Sequence, residues 1–306
     1  MSETYLVVGG VGFIGSFLAD ELLESGDDVV LFDVRRSHPL LELLGVEDEV
    51  RTHSGDVTHL PDLLRAVAEY DPDYVVHLAA MLSGIERSPW RAQEVNCTGT
   101  TNVFEAARTG SVRRVVWTSS TSVYADADRY PDAPNPVVDE DSLVDPPSLY
   151  GAQKYLNEKT AAAYHEHHGL DVVGLRPPGI YGPHKSAPEP HNDLIEAGIA
   201  GEPMTVPYGD QRVELVYVRD VARALVRACL AADPSRTIYN VGADFLTYRE
   251  MVETVTEIVG GEFSVTSDAR MNWTHDVDWE RARTNLGYEP AYSFADGVAD
   301  FHRLVG

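Results

Sequence analysis

The chain has 306 residues, is 43% apolar, and sets 24 Lys and Arg against 49 Asp and Glu for a formal net charge of -25. That is enough apolar material for a proper core in one large or two modest domains, which excludes a disordered or fibrous chain. So negative a surface repels phosphate backbones and anionic lipid, so neither nucleic acid nor a membrane is an expected partner.

No basic leader precedes the first apolar run, Tyr5-Leu6-Val7-Val8, and no run approaches the roughly 18 residues of a membrane span, so a soluble, cytoplasmic chain is expected. Gly9-Gly10-Val11-Gly12-Phe13-Ile14-Gly15 follows that run and opens a helix-like stretch. Gly9, Gly12 and Gly15 there allow a tight turn, the approach of a pyrophosphate to backbone N–H groups, and close helix-on-strand packing, which is a dinucleotide-binding pattern. The second run, Val29-Val30-Leu31-Phe32, ends at Asp33, which can accept both hydroxyls of an adenosine ribose and so favours NAD. Arg35 and Arg36 follow, and guanidinium forks at that place would suit the 2′-phosphate of NADP; the cofactor is therefore NADP or NAD.

Further runs stand at Tyr74-Val75-Val76-His77, Val115-Val116-Trp117-Thr118 and Val172-Val173-Gly174-Leu175. Unbroken apolar runs suit strands covered on both faces, and their alternation with helices predicts an α/β protein with a doubly wound parallel sheet. Ser119-Ser120-Thr121-Ser122-Val123-Tyr124 leaves the run at 115–118 from its carboxyl end, where a hydroxyl can hydrogen-bond a substrate oxygen. Residues 124–150 are rich in Pro and Asp and too long for an ordinary connection, the length of a functional or mobile loop. Tyr150 and Lys154 come next, spaced i and i+4 and so on one face of a helix. A neighbouring ammonium favours a phenolate, so Tyr150 is the candidate general base with its pKa expected to fall from about 10. Lys154 would also bind the nicotinamide ribose.

His165-Glu166-His167-His168 stands just before Gly169 and reads as the end of that helix, with imidazoles at the negative end of its dipole; no metal site is expected there. Cys97 and Cys229 are too few for a disulfide framework and read as core thiols. After Arg176 the rhythm breaks up at Pro177, Pro178, Pro183, Pro188 and Pro190. A strand near 215–218, a helix over 220–231 and a short strand at 238–241 are expected to rejoin the sheet. The expected division is a dinucleotide-binding domain over 1–177, with 213–242 returning to it, and a smaller substrate-binding lobe from 178–212 and 243–306. Ligands of open α/β sheets bind outside the carboxyl ends of the strands, which places the site between the lobes. His184 and His191 at the entry to the small lobe are candidate substrate contacts, whereas Trp273, His275 and Trp279 read as packing and rim residues.

The same motifs, joined by Gly55-Asp56-Val57, His77-Leu78-Ala79-Ala80, Val95-Asn96-Cys97-Thr98-Gly99-Thr100, Arg176-Pro177-Pro178-Gly179-Ile180-Tyr181-Gly182-Pro183, Val218-Arg219-Asp220-Val221-Ala222 and Leu286-Gly287-Tyr288-Glu289-Pro290, run over nearly the whole chain. In that order the sequence resembles the extended short-chain dehydrogenases/reductases of the NAD-dependent epimerase/dehydratase family. The resemblance implies a Rossmann-type sheet with a C-terminal substrate lobe and a catalytic Ser120, Tyr150 and Lys154. It places the cofactor against Gly9, Gly12, Phe13, Ile14, Gly15, Asp33, Arg35, Arg36, Asp56, Val57, Leu78, Ala79, Ala80, Asn96, Pro177 and Ile180, with Tyr150 and Lys154. Substrate would lie along Ser83, Ser120, Thr121, Ser122, Tyr150, Gly179 and His184. A homodimer or homotetramer built on the helices over 100–108 and 150–168 is also implied.

Two departures from the family's pattern shape the functional expectation. Nucleotide-sugar members carry Asn where this chain has Gly179, and an Arg directly before an acidic-aromatic pair where Val213 precedes Glu214, with Arg212 one place off. Both losses remove clamps for a diphosphate, and Thr121-Ser122 replaces the acidic pair of the dehydratases. The expected activity is therefore that of the aldose dehydrogenases of halophilic archaea, which oxidise a free sugar such as L-arabinose at its anomeric carbon to a lactone. A nucleotide-sugar 4-epimerase and an inactive NAD(P)-binding sensor are the alternatives.

Lys154, Lys159 and Lys185 are the only lysines, and the carboxylates are scattered over every segment, a surface like that of proteins from salt-loving organisms. Self-repulsion acts over about 30 Å at 0.01 M salt and about 3 Å at 1 M. The denaturant midpoint of unfolding should therefore rise steadily as KCl is raised toward roughly 1 M. A midpoint that is flat or falls over that range would show that the negative charge does not limit stability.

Overall fold

The computed structural model describes residues 2–185, 189–271 and 275–306; Pro188 and Trp273 lie outside them. Seven parallel strands form the central sheet, in the order Ile238–Asn240, Val172–Arg176, Arg114–Thr118, Tyr74–His77, Thr4–Val8, Asp28–Asp33, Arg51–Ser54. The apolar runs divide between its two faces. Leu6, Val8, Val30, Val75 and Val115 pack on one side, and Tyr5, Val7, Val29, Leu31, Val76 and Val116 on the other. Successive strand residues point to opposite faces, so a strand covered by helices on both sides must be apolar at every position. The Arg51–Ser54 strand has no such run, because it is an edge strand paired only with Asp28–Asp33.

The strand over Arg212–Tyr217, expected in the main sheet, is not part of it. It pairs parallel with Gly179–Tyr181 and antiparallel with Asp244–Thr247 in a separate three-stranded sheet. Pro177 and Pro178 explain the change, since neither can donate to a ladder, so the main-sheet strand stops at Arg176 and the chain restarts in a new sheet at Gly179. Residues 238–240 do lie in the main sheet, beside Val172–Arg176. The helix between, Val218–Leu230, lies against Phe13–Glu24, where Arg219 reaches Asp20 at 2.8 Å. Arg114 closes its far end by donating to the carbonyls of Ala228, Cys229 and Ala231 at 2.9, 3.0 and 2.6 Å, satisfying acceptors that a helix terminus leaves open. One apolar cluster runs from Val7 and Val116 through Tyr181, Leu194 and Tyr217 to Phe294, so the two parts of the molecule share a core.

The long acidic loop is strapped down. Val137–Val138 pairs with Asp276–Val277, Arg281 holds Asp139, Glu140 and Asp141, and Glu140 accepts the backbone N–H of Asn240 at 2.8 Å. His275 bonds the Ala125 carbonyl at 2.8 Å and Trp279 packs on Tyr288. Cys97 and Cys229 are buried free thiols. Gly169, at φ +67°, ends the helix Leu149–His168 with three histidines in its last turn. Among the described residues no helix is long and apolar enough to cross a membrane.

Beneath the carboxyl ends of the strands lies a buried ion pair. Arg176 donates to Glu158 Oε1 from Nε at 2.8 Å and to Oε2 from Nη2 at 2.7 Å, with both side chains 5% exposed. Glu158 also accepts from Ser119 Oγ at 2.6 Å, and Arg176 donates to the Tyr124 hydroxyl at 2.8 Å, which in turn donates to Asn240. Removing one partner leaves a buried charge uncompensated. Arg176→Leu should destabilise the fold by about 3–5 kcal/mol in urea unfolding at fixed salt, and adding Glu158→Leu should recover part of that loss. A single variant as stable as the parent would remove the pair from the fold's foundations.

Candidate active site

The glycine loop is shaped by what surrounds it. Gly9 adopts φ +81°, and a Cβ there would stand 2.5 Å from the Ala79 nitrogen; one on Gly15 would overlap the Gly10 carbonyl. The helix Phe13–Glu24 begins at Gly12 with no side-chain cap, so its first amides are left for an anion. Phe13 and Ile14 are half-buried at that end. This cradle, which any side chain would fill, fits the pyrophosphate of a dinucleotide. Asp33 is buried at the end of its strand and accepts the Arg35 amide at 2.9 Å. The Arg35 guanidinium folds back to 3.5 Å from Asp33 and over Gly12, while Arg36 is exposed.

At the turn expected to face the adenine, burial alone would raise the Asp56 carboxyl, but hydrogen bonds from Thr58 and Arg91 hold it below its ordinary value. Val57 is buried against Gly99. The amides of Leu78 and Ala79 both donate to the Val8 carbonyl, at 2.8 and 3.0 Å, and Ala80 follows in the same turn. Asn96 was expected on the cofactor, but its side chain is spent on the protein. It accepts the Met81 amide at 2.7 Å and donates to the Met81 carbonyl at 3.1 Å and to Gln153 at 2.8 Å. It lies in a π-helical turn, Glu94–Thr98, and holds the loop after Tyr74–His77 in place.

The groups expected to react come from two elements pressed together. Ser120 caps a short turn by accepting the Ser122 amide at 3.1 Å and donates to Ser122 Oγ at 3.0 Å. Ser148 caps the Leu149–His168 helix, and a Cβ on Gly151 in its first turn would overlap the Ser122 carbonyl oxygen. Only glycine lets the two meet, and the Ser120 hydroxyl then comes close enough to act on the Tyr150 phenol. Lys154 Nζ stands 5.6 Å from the centre of the Tyr150 ring and donates to the Thr118 carbonyl at 2.6 Å.

The electrostatics correct the expectation for Tyr150. Its phenol is raised above its usual value, first by burial and then by the charge of Glu189, with the nearby Ser120 hydroxyl acting the other way. Burial also pulls the Lys154 ammonium down to about 8. The i, i+4 spacing foresaw the neighbour but not the loss of water around both groups, and desolvation works against either charge.

The expected substrate residues do not all converge. Ser122 lies beside Ser120, but Thr121 is tied to the Pro177 carbonyl through its amide at 3.1 Å. Ser83 is exposed on the loop beyond Met81. His184 is exposed with φ +58°, and its charge bears on His38 and Glu196 rather than on Tyr150. His191 instead is buried, with Cε1 3.2 Å from where a Gly179 Cβ would lie and Leu215 Cδ2 at 2.9 Å from the same point. Lys185 reaches the carbonyl of Ile180 at 2.6 Å. Gly151, Gln153, Lys185 and Glu189 were missed; only Lys185, as one of three lysines, carried any signal.

A family model described as the NAD dependent epimerase/dehydratase family matches residues 5–242. The chain belongs to that family. UDP-glucose 4-epimerase of Mycolicibacterium smegmatis is 34% identical over 313 residues, covering 96% of each chain. Two solved structures each cover 98% of both chains: UDP-glucose 4-epimerase of Thermotoga maritima with UDP-glucose, at 25% identity and TM-score 0.84, and that of Thermus thermophilus with NAD, at 27% and 0.81. The cofactor of the family is NAD, and the glycine cradle, Asp33 and Lys154 are the residues of this chain that would hold it.

Tyr150→Phe should lower kcat by about 10² to 10⁴ while leaving NAD affinity within a few-fold, because it removes a proton acceptor and spares the glycine cradle. Gly151→Ala should also lower kcat by forcing the Ser120 turn away from the helix. Full turnover in Tyr150→Phe would take that residue out of the reaction.

Proposed function

We propose that this protein reversibly oxidises a secondary alcohol of a sugar with NAD, as a nucleotide-sugar 4-epimerase. The observation that carries this reading is the meeting of Ser120, Tyr150 and Lys154 at the open end of the sheet, in a chain aligned end to end with UDP-sugar 4-epimerases. NAD, when bound, supplies the hydride acceptor and the positive charge of an oxidised nicotinamide. Tyr150 takes the proton of the reacting hydroxyl, Ser120 hydrogen-bonds the same oxygen, and the buried Lys154 supplies positive charge beside the phenol. Asp33, with Arg35 folded onto it, supports NAD over NADP, since a carboxylate at the ribose repels a 2′-phosphate.

The comparisons favour this reading over the free-aldose dehydrogenase expected from sequence. One observation keeps the latter as a second reading: His191 and Leu215 fill the space that an Asn side chain at position 179 would need, and Val213 is buried where an Arg would serve a diphosphate. The partner we propose is a second copy of the chain, docked on the helices Gly99–Thr109 and Leu149–His168, the latter with Leu156 half exposed.

One experiment separates the readings. Incubated with UDP-glucose or UDP-galactose and trace NAD, an epimerase interconverts them with no net NADH. A dehydrogenase leaves them unchanged and accumulates NADH from free aldoses with stoichiometric NAD. The first outcome is expected; the second would overturn it, and tight NAD binding without either would leave a sensor.

A further inference from the structure

Lys185, Glu189 and His191 form a cluster that the chemistry above does not use. Glu189 Oε1 lies 2.8 Å from Lys185 Nζ and Oε2 lies 2.9 Å from His191 Nε2. Both partners are buried, at 7% and 4% side-chain exposure, whereas Glu189 keeps 36%. The carboxylate is thus gripped from behind and shows an open edge. The grip is anchored to the active site, because Lys185 also bonds the carbonyl of Ile180 and the His191 ring sits against Gly179. Of the chain's three lysines, two are buried here, Lys154 and Lys185. Burial would raise the Glu189 carboxyl, but His191 and Lys185 hold it down to about 2, so it is an anion at every working pH.

A carboxylate offers about four acceptor sites; Lys185 Nζ and His191 Nε2 each stand within ion-pair distance of one oxygen, but His191 Nε2 is not aligned to hydrogen-bond it. The part-exposed carboxylate therefore keeps acceptor sites free for hydroxyls of a sugar ring. Through Lys185 on the Ile180 carbonyl and His191 against Gly179, the cluster borders the segment whose Pro177 carbonyl holds Thr121, the residue after Ser120, and the Glu189 charge acts to raise the Tyr150 phenol. A carboxylate on that sugar would meet it as a like charge, which is disfavoured where water is scarce.

We propose that Glu189 determines specificity: its clamped carboxylate accepts hydrogen bonds from hydroxyls of the sugar that reacts at Tyr150, and selects an uncharged sugar over a uronate. This rests on the reading that Tyr150 oxidises a sugar alcohol, and it holds for a nucleotide-linked or a free sugar alike.

The test compares the parent and Glu189→Gln with UDP-glucose against UDP-glucuronate and with galactose against galacturonate. NAD affinity and thermal unfolding serve as checks on folding. The parent should favour the neutral member of each pair it accepts. Glu189→Gln should raise KM for that member about tenfold and shrink its advantage over the uronate by a similar factor, the loss of a charge-assisted hydrogen bond. The pH midpoint of kcat should also move down, since an anion facing Tyr150 has gone while Lys185, His191, Tyr248 and Asp193 stay. A purely structural role would leave that midpoint and the ratio unmoved, and such a result overturns the proposal. Should Glu189→Gln not fold, the parent's own preference decides: equal or better use of the uronate overturns it. Turnover that survives Tyr150→Phe defeats the underlying reading instead, and no turnover of any of the four sugars defeats both.

Discussion

The carboxylate of Glu158 is shared between Ser119, at the end of one central strand, and Arg176, at the end of its neighbour, and it belongs to the helix that carries Tyr150 and Lys154. Sliding or rotating that helix would separate a buried carboxylate from a buried guanidinium, and each would then face a low-dielectric interior alone. The register of the helix on the sheet is fixed by that threat. Lys154 consequently meets the Thr118 carbonyl, and Gly151 meets the Ser122 carbonyl, with no freedom to choose other partners. Tyr124 and Asn240 extend the same network to the edge of the sheet, so the floor of the site is one connected polar unit under an apolar sheet.

Above that floor, burial shifts the two titrating groups in opposite directions, each against its charged form, and still leaves Lys154 largely an ammonium at neutral pH. The Tyr150 phenol is pushed up and the Lys154 ammonium is pulled down, as happens to any ionisable group that loses water without gaining a full counter-charge. Glu189 adds to the first effect. Both effects hold the Tyr150 phenol in its protonated form in the ligand-free protein.

The sheet was legible because its strands are covered on both sides and so are written as unbroken apolar runs, as in residues 5–8 and 115–118. Arg51–Ser54 was not, since an edge strand has one neighbour and needs no apolar run. The misplacement of Arg212–Tyr217 has a similar cause: an apolar strand does not say which sheet it joins, and here the prolines after Arg176 decide. At the site, residue types with strong chemical meaning, Gly9, Asp33, Ser120, Tyr150 and Lys154, stood out. Asn96 was placed on the ligand because nothing in a sequence marks a π-helical turn that aims it at Met81. His184 and His191 looked alike in the text, and only packing against Gly179 separates a solvated imidazole from a buried one.

The bond from Glu140 to the backbone of Asn240 has a further consequence. Ile238–Asn240 is the last strand of the sheet, and an open last strand is a template on which another chain can build. Here its outward N–H is already taken by a side chain, and the acidic run 139–141 with Arg236 and Arg281 lies alongside it. Strand-by-strand growth from one molecule to the next is stopped at that end. The long loop before Tyr150 is thereby a guard against aggregation.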